Sequence, residues 1–384
     1  MKKIIGFVGA FGLASPGLAA DTYFGLTAEI GGGYDSNPYL REGGGGSATV
    51  NGSLSPTIQF VTPTSTTALS GYVARTEYLQ HNRNPAKSYS VDLNHTQSFS
   101  PRLTWTGGIG FSDTTTSLLD PIDQDIATSS DRSRRLYHGQ GSFTWKQDAL
   151  STWTLSGFAN KAEYGNGGSS TVDRLLRDYT TYGGAIGYSR VVSERTSLGV
   201  TVNGSRINSK SYPDTTSIQP QLTITHQFSS IWTLNAGVGA IFQKTSFNGD
   251  SHKSTNLGFN FDMCGTYPQQ TLCFSGSRDT QPSGFGGART RTNIGLTYSR
   301  QLSERSSITA SGNYLKDKSP AFFNQFAQSI DYQNATVRYS HDLTERLSAG
   351  VQGDYRRRHI RGEGTGDSVG GLVFLSMKFG HLKQ

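Results

Sequence analysis

The stretch Tyr188-Ser-Arg-Val-Val-Ser-Glu-Arg195 recurs with small changes as Tyr298-Ser-Arg-Gln-Leu-Ser-Glu-Arg305 and Tyr339-Ser-His-Asp-Leu-Thr-Glu-Arg346. In each copy, alternating apolar and polar residues lead to Tyr-Ser, a short polar tip follows, and a second alternating segment begins after the Arg. This arrangement predicts a tight β-hairpin turn. Looser copies of the turn follow three aromatic residues, Phe99, Trp145 and Phe228. We therefore expect a chain built from successive hairpins.

The composition is unusual for a water-soluble globular protein of 384 residues. Only 34% of the residues are hydrophobic, too few to bury a core on both sides of a sheet in a chain of this size. The aromatic content of 11% nevertheless argues against disorder. A closed transmembrane sheet reconciles these values, because one face meets lipid while the other meets water and can be rich in Ser, Thr, Asn and Gly.

The first twenty residues have the layout of a secretory signal peptide. Lys2 and Lys3 precede an apolar segment, residues 4–14, and the small residues up to Ala20 form a cleavage site before Asp21. The alternative is a buried N-terminal helix. No later segment reaches the roughly 18 consecutive apolar residues that a transmembrane helix requires. We predict a signal peptide at 1–20, cleaved near Ala20, and one barrel domain at 21–384 in the outer membrane of a Gram-negative bacterium.

The alternation also predicts the number of strands. Within Val50–Val61, for example, even positions 50–60 hold apolar residues or glycine and odd positions 51–59 hold polar residues. All short turns must lie at one end of a barrel, and this condition splits residues 255–302 into three strands that begin with a hairpin of Thr255–Cys264 and Thr271–Thr280. The predicted fold is an all-β, transmembrane, antiparallel up-and-down β-barrel of about 18 strands.

Cysteines and aromatic residues add two predictions near the short turns. Cys264 and Cys273 are the two cysteines, and in an exported protein they predict a disulfide across that hairpin. Ten aromatic residues predict a girdle at one membrane interface: Phe60, Phe99, Trp105, Trp145, Trp153, Tyr188, Phe228, Trp232, Tyr298 and Tyr339. Packing inside a soluble sandwich is the alternative, but it does not explain the Gly and Ser residues at facing positions.

Charged residues on the small and polar face of the strands predict a mixed lumen lining. The candidates are Arg75, Glu77, Asp92, Asp262, Arg289, Arg291, Arg338, Asp354 and Arg356. Rings of one charge sign determine ion selectivity in pores, and the sequence contains no such ring. These residues are either solvated wall positions paired along the sheet or, through the four arginines from Arg289 onwards, a ladder that guides a polar or anionic solute.

Other arginines predict a basic outer rim next to the long loops. They include Arg134, Arg135, Arg357 and Arg358. Guanidinium binds phosphate and carboxylate groups, so lipopolysaccharide and an anionic polymer fit this rim equally well.

Motifs of catalysis or cofactor binding are missing. The eight histidines are scattered, and the chain has no Gly-x-Ser-x-Gly, no His-Glu-x-x-His and no phosphate loop. The excess of basic residues, 35 against 28 acidic ones, is too mild to indicate nucleic acid as a partner. We predict a protein that is not an enzyme and has no cofactor or metal.

The segment Tyr34-Asp-Ser-Asn-Pro38 resembles the opening of a family of outer-membrane β-barrel porins, the second family of that kind. The Leu-Ser-Glu-Arg turns and the segment from Cys273 to Gly284 resemble it too, so the similarity covers essentially the whole exported chain. Members often occur in exopolysaccharide loci, which implies polymer export across the outer membrane, with periplasmic export machinery as a partner. One difference is that barrels usually end on an aromatic residue, whereas Gly-His-Leu-Lys-Gln384 follows Phe379 here.

Two further functions stay open from the sequence. A general diffusion porin for small polar solutes would need the same hydrated lumen. A structural or scaffold barrel would have a plugged lumen and loops that bind a partner. The loop between Asp113 and Arg134 is long enough to fold inward.

Overall fold

The computed structural model describes residues 21–80, 84–115, 132–165, 177–209, 213–283, 287–318, 329–360 and 364–381. The predicted signal peptide and most of the loop 113–134 lie outside these ranges. The described chain forms one sheet of 18 strands. They are β1 (Asp21–Asp35), β2 (Ser47–Val61), β3 (Ser65–Tyr78), β4 (Ala86–Ser100), β5 (Leu103–Thr115), β6 (Ser133–Lys146), β7 (Ser151–Tyr164), β8 (Tyr179–Ser193), β9 (Thr196–Ser209), β10 (Asp214–Gln227), β11 (Trp232–Phe247), β12 (Asp250–Tyr267), β13 (Gln270–Pro282), β14 (Ala288–Ser303), β15 (Ser306–Lys318), β16 (Ile330–Asp342), β17 (Leu347–Ile360) and β18 (Gly364–His381).

The sheet closes on itself. Every strand pairs antiparallel with its neighbours in the chain, and β1 pairs with β18 from Phe24↔His381 to Asp35↔Gly370. Closure leaves no long unpaired edge, which is how a sheet satisfies its backbone polar groups in lipid. The predicted all-β antiparallel barrel is confirmed, with 18 strands. Within the described ranges, no helix is long and apolar enough to cross a membrane.

The two ends of the barrel differ. The turns between β2 and β3, β4 and β5, and so on to β16 and β17 are short, and they share one end with Asp21 and His381. We call this the turn end and the opposite one the loop end. The strands run further toward the loop end than predicted. For example, β12 begins at Asp250 instead of Thr255, because Asn248 and Gly249, with φ of 49° and 92°, form a tight hairpin.

The repeated stretch forms the predicted turns, and its tyrosines make the same contact each time. Tyr188 donates its hydroxyl to Ser151 Oγ at 3.4 Å, Tyr298 to Gln270 Oε1 at 3.2 Å and Tyr339 to Ser306 Oγ at 3.3 Å. Each acceptor is the first residue of the neighbouring strand. The repeat therefore joins the end of one strand to the start of the one beside it.

The arginine of each copy joins neighbouring hairpins through its backbone. The carbonyl of Arg195 accepts the N–H of Gln227 at 2.9 Å, and that of Arg305 accepts the N–H of Asp342 at 2.7 Å. In the third copy, the carbonyl of Arg346 accepts from Lys378 at 2.8 Å. Each acceptor immediately precedes a strand, and each donor lies at or within four residues of the end of the strand beside it, so successive hairpins are held in register.

The predicted disulfide is confirmed. Cys264 and Cys273 are directly opposite each other on β12 and β13 and are bonded, with their Cα atoms 4.1 Å apart. The bond lies a few residues from the turn between Tyr267 and Gln270, at the turn end.

Ion pairs identify the concave face of the sheet. Arg338 on β16 binds Glu29 on β1 at 2.6 Å, although β17 and β18 lie between them. Asp92 on β4 likewise meets His138 on β6 at 3.0 Å. Side chains reach past intervening strands only across the interior. On the other face, ion pairs lie within one strand or between adjacent strands, as for Arg206 with Asp214 at 3.2 Å.

The convex face carries an apolar belt. Large side chains exposed on it include Leu54, Leu222, Val351 and Val373, which are 48%, 66%, 52% and 63% exposed. The girdle residues lie near the turn end, where Trp153 packs on Tyr188 with ring centroids 4.9 Å apart. Because the residues of each strand alternate, the outer face of the sheet is apolar, as the lipid-facing surface of a β-barrel must be.

Candidate functional site

The concave face is the candidate site, and most of it is polar. On β2, Asn51 shares the concave face with Ser53, Ser55, Thr57 and Gln59. Leu54 and Ile58 lie on the opposite face. Around Glu29, a recess of about 200 Å³ opens among Asn51, Ser53, Tyr72 and Thr76. The wall therefore offers hydroxyl, amide and carboxylate groups to a solute.

Arg338 forms the first of three charge clusters on this wall. Its Nη2 lies 2.6 Å from Glu29 Oε2, and Nη1 donates to Gln352 Oε1 at 3.2 Å. The guanidinium also stacks over the ring of Phe374, with Cζ 3.5 Å from the centroid. The cation is thus neutralised by a carboxylate and supported by a cation–π contact.

Arg356 forms the second cluster, closer to the loop end. Its Nη2 donates to Asp35 Oδ2, and its Nε lies 3.3 Å from Asp354 Oδ2. Asp35 is the second residue of the Tyr34-Asp-Ser-Asn motif, so the motif supplies a counter-charge to the wall.

Arg291 forms the third cluster and is the most buried of the three. Its Nε and Nη2 bind the two carboxylate oxygens of Asp317, both at 2.8 Å. The side chains of Arg291 and Asp317 are only 8% and 1% exposed. A two-pronged contact of this kind is the strongest geometry available to an arginine and a carboxylate. Asp279 is directly opposite Arg291 in the ladder of β13 and β14.

The register places the predicted lumen residues as follows. Seven of them lie on the concave face: Asp92, Asp262, Arg289, Arg291, Arg338, Asp354 and Arg356. Arg75 and Glu77 do not, because they are in step with Leu69 and Val73 on the convex face. There they form an exposed pair along one strand, with Arg75 Nε 2.6 Å from Glu77 Oε1. The prediction took the small and polar parity of each strand as inward, but near the loop end both faces are polar, so the parity of Arg75 and Glu77 was misassigned.

The predicted rim arginines also divide between the faces. Arg135 and Arg357 lie on the convex face near the loop end, where Arg135 binds Asp113 at 3.1 Å. Arg134 and Arg358 are buried on the concave face instead of exposed at the rim. Arg134 donates to the hydroxyl of Tyr179 at 3.0 Å, and Arg358 donates to the backbone of the connection after β1.

Sequence reasoning missed the partners of these charges. Glu29, Asp35, Asp317 and His138 all lie on the concave face and bind residues of that face. Glu29 and Asp35 could have been found by counting in twos from Thr27 along the first strand. Within the described ranges, no group of three or more His, Cys, Asp and Glu residues could hold a metal ion.

The connection between β1 and β2, residues 36–46, folds against the concave face. The Asn37 side chain closes a turn by accepting from Arg41 N at 3.2 Å and donating to Arg41 O at 2.7 Å. Leu40 is 9% exposed and packs with Leu315, Ile330, Tyr332 and Ile360 on β15, β16 and β17. All four partners are in step with Arg338 or Arg291, so the connection lies inside the mouth at the loop end.

A second inward element comes from β13 and β14. β12 and β13 pair only from Phe259↔Arg278 to Tyr267↔Gln270. Beyond that point, Thr280 accepts from Gln243 Nε2 on β11 at 2.5 Å, and Gly287 N donates to Ser209 Oγ at the end of β9 at 3.1 Å. The loop end of β13 and β14 therefore bends into the lumen.

Comparison with known proteins gives a likeness in structure. No family model matches the chain, and no curated protein matches its sequence. The FrpB iron transporter of Neisseria meningitidis, in its apoprotein form, is 10% identical with a TM-score of 0.51, over 93% of this chain and 81% of that one. OccK2 (OpdF) of Pseudomonas aeruginosa is 13% identical with a TM-score of 0.48, over 94% and 99% of the two chains. The outer membrane protein OpdK of the same organism is 10% identical with a TM-score of 0.47 and the same coverage.

At these identities, the likeness to FrpB concerns the fold alone. This likeness in fold is consistent with three features of the present chain: the closed sheet, the apolar belt and the short turns at one end. The resemblance to outer-membrane β-barrel porins seen in the sequence is confirmed at the level of the fold. This chain has the fold of an outer-membrane β-barrel protein.

Proposed function

We propose that this protein is a channel of the outer membrane whose hydrated lumen carries an exopolysaccharide out of the cell. The observation that carries the proposal is the concave wall. It is lined with hydroxyl and amide groups, and its arginines at 291, 338 and 356 are each bound to a carboxylate. Such a wall can exchange hydrogen bonds with a polyhydroxylated chain without binding one charge sign strongly.

The identity of the cargo is supported by the resemblance in sequence. The Tyr34-Asp-Ser-Asn motif and the Leu-Ser-Glu-Arg turns resemble those of a family whose members often occur in exopolysaccharide loci. A general diffusion porin for small polar solutes is the alternative, because the same wall would serve it equally. The inward connection at 36–46 favours a channel that is narrowed at the loop end over a wide one.

The orientation and the partners are part of the proposal. Short turns of outer-membrane barrels face the periplasm, so the turn end would meet periplasmic export machinery. Arg135 and Arg357 on the convex face would contact lipopolysaccharide phosphates. Residues 1–20 would be removed by signal peptidase near Ala20.

Conductance in a planar lipid bilayer tests the channel. We expect steady, ohmic single-channel current and a K⁺ to Cl⁻ permeability ratio close to one, since the wall charges are paired. The variant in which Arg289, Arg291, Arg338 and Arg356 are all Ser tests the predicted anion ladder, with Arg357→Ser as the control. An unchanged reversal potential would exclude the ladder, and a closed trace from wild-type protein would favour a plugged scaffold.

Deletion in the native bacterium tests the cargo. Export predicts that polymer synthesis continues while polymer accumulates in the periplasm, and that the wild-type gene restores secretion. Normal secretion by the deletion strain would refute export and leave the diffusion porin, for which uptake of small sugars is the matching measurement.

A further inference from the structure

We propose that the connection between β1 and β2, residues 36–46, is the element that sets the size limit of the pore, with Leu40 as its anchor. The inference rests on the proposed channel and adds the part of the chain that determines which solutes pass. Contacts on three sides hold the connection inside the mouth.

The root of the connection is fixed by the Tyr34-Asp-Ser-Asn motif. Asp35 binds Arg356 on β17 and also accepts from the backbone N–H of Asn37 at 3.0 Å. Asn37 N further donates to Ser368 Oγ on β18 at 3.1 Å, and Ser36 exchanges backbone and side-chain hydrogen bonds with Val369. The motif thus turns the chain inward as it leaves β1, which gives these residue types a structural role.

The tip is fixed by an apolar cluster, which would otherwise be exposed to the water in the lumen. Leu315, Ile330, Tyr332 and Ile360 face the concave side and are at most 3% exposed. A barrel interior that faces water is polar, and apolar side chains there need a cover. Leu40 supplies it, after the chain has passed β18 and β17 along the inner wall.

Arg358 fixes the backbone of the same segment. Its Nη2 donates to the carbonyl of Leu40 at 2.9 Å and to that of Tyr39 at 3.2 Å. Leu40 itself has φ of 51°, a left-handed conformation that a residue with a Cβ keeps only where its surroundings hold it. The backbone is therefore held in place by the wall.

The inward ends of β13 and β14 narrow the mouth from another side. They contact β9 and β11 through Ser209 and Gln243, whereas the connection contacts β15, β16 and β17. The narrow part of the lumen is therefore the passage between these two elements. Leu40 and Arg358 hold the tip of the connection, so substitutions at these two residues target its docking without altering the contacts of Ser36 and Asn37 with β18.

Thiol labelling tests whether the connection is docked, independently of any current. The disulfide leaves no native free thiol, so Leu40→Cys or Glu42→Cys introduces a single one. With a membrane-impermeant maleimide, we expect Leu40→Cys to react about tenfold more slowly than the exposed Glu42→Cys, because labelling requires local opening. Adding Arg358→Ser should bring the two rates close together, while adding Arg357→Ser should not. Equal rates in the starting pair would overturn the proposal.

Single-channel conductance then tests the size limit. The double variant Leu40→Ser, Arg358→Ser should conduct roughly twofold more than wild type and admit larger neutral polymers, since a docked segment would leave the mouth. Arg357→Ser is the matched control on the convex face, and circular dichroism with heat-dependent gel mobility confirms folding. Unchanged conductance in the folded double variant, together with rapid labelling of Leu40→Cys, Arg358→Ser, would refute the size limit. Absence of current in every protein would refute the channel while the labelling result stands.

Discussion

Three consecutive arginines on β17 show how the two faces of this barrel differ. Arg356 binds Asp35 across β18, and Arg358 is buried against the connection at 36–46. Arg357, between them, is exposed on the convex face. A basic cluster in the sequence is therefore not a basic cluster in space, because alternate residues of one strand meet different surroundings.

The contrast holds for charge pairs in general. On the concave face, Arg338 and Arg356 bind carboxylates of the distant strand β1, and Arg291 and Asp317 on adjacent strands are almost fully buried. The convex pairs lie within one strand or between adjacent strands and are more exposed. Removing one partner of a buried pair leaves the other charge buried without its counter-charge, which lowers stability strongly. Removing a partner of an exposed pair changes stability little.

The largest expected effect is at Asp317. Asp317→Ala removes the carboxylate that binds both Nε and Nη2 of the 8% exposed Arg291 side chain, and we expect a loss of about 3–5 kcal/mol in the free energy of unfolding. Asp113→Ala, which removes the partner of the exposed Arg135, should cost less than about 1 kcal/mol. Urea unfolding of the barrel in lipid vesicles measures both. Equal losses would show that the two faces do not differ in burial as described.

The fold was predictable from sequence because lipid imposes a strict alternation. Residues 50–60 obey it, and the parity of the short turns was enough to place the Cys264–Cys273 hairpin correctly. Strand ends were harder to predict. At the loop end of β12, residues 250–254 are polar on both faces, so the alternation stops before the strand does.

The candidate site was only partly predictable. Stepping in twos from Leu69 and Val73 would have placed Arg75 on the convex face, so that signal was present. The partner of Arg338 was not predictable, since Glu29 is 309 residues away and meets it only after the barrel closes. Local sequence does not contain the curvature that brings β16 to β1.

The next largest effect is expected for a charge introduced on either face at the centre of β2. Leu54 is 48% exposed on the convex face, and Leu54→Arg places a charge in lipid at about 2–4 kcal/mol cost to folding. Ser55→Arg, one residue along, points into the lumen and should change the free energy of folding far less. Folding titrations in vesicles of defined thickness compare the two variants. A costly Ser55→Arg would mean that the lumen near β2 is closed to water.

The smallest effect concerns the repeated tyrosine at the turn end, where the convex face also makes a polar contact. Tyr298→Phe removes the hydroxyl that donates to Gln270 Oε1 at 3.2 Å, at an expected cost of about 0.5–1.5 kcal/mol. Tyr355→Phe is the matched control, because Tyr355 lies on the same face near the loop end and, among the described residues, its hydroxyl has no such acceptor. Unfolding in urea again gives the difference. If Tyr355→Phe proves as costly, the membrane interface itself favours the hydroxyl, and the repeat owes its tyrosine to lipid rather than to the neighbouring strand.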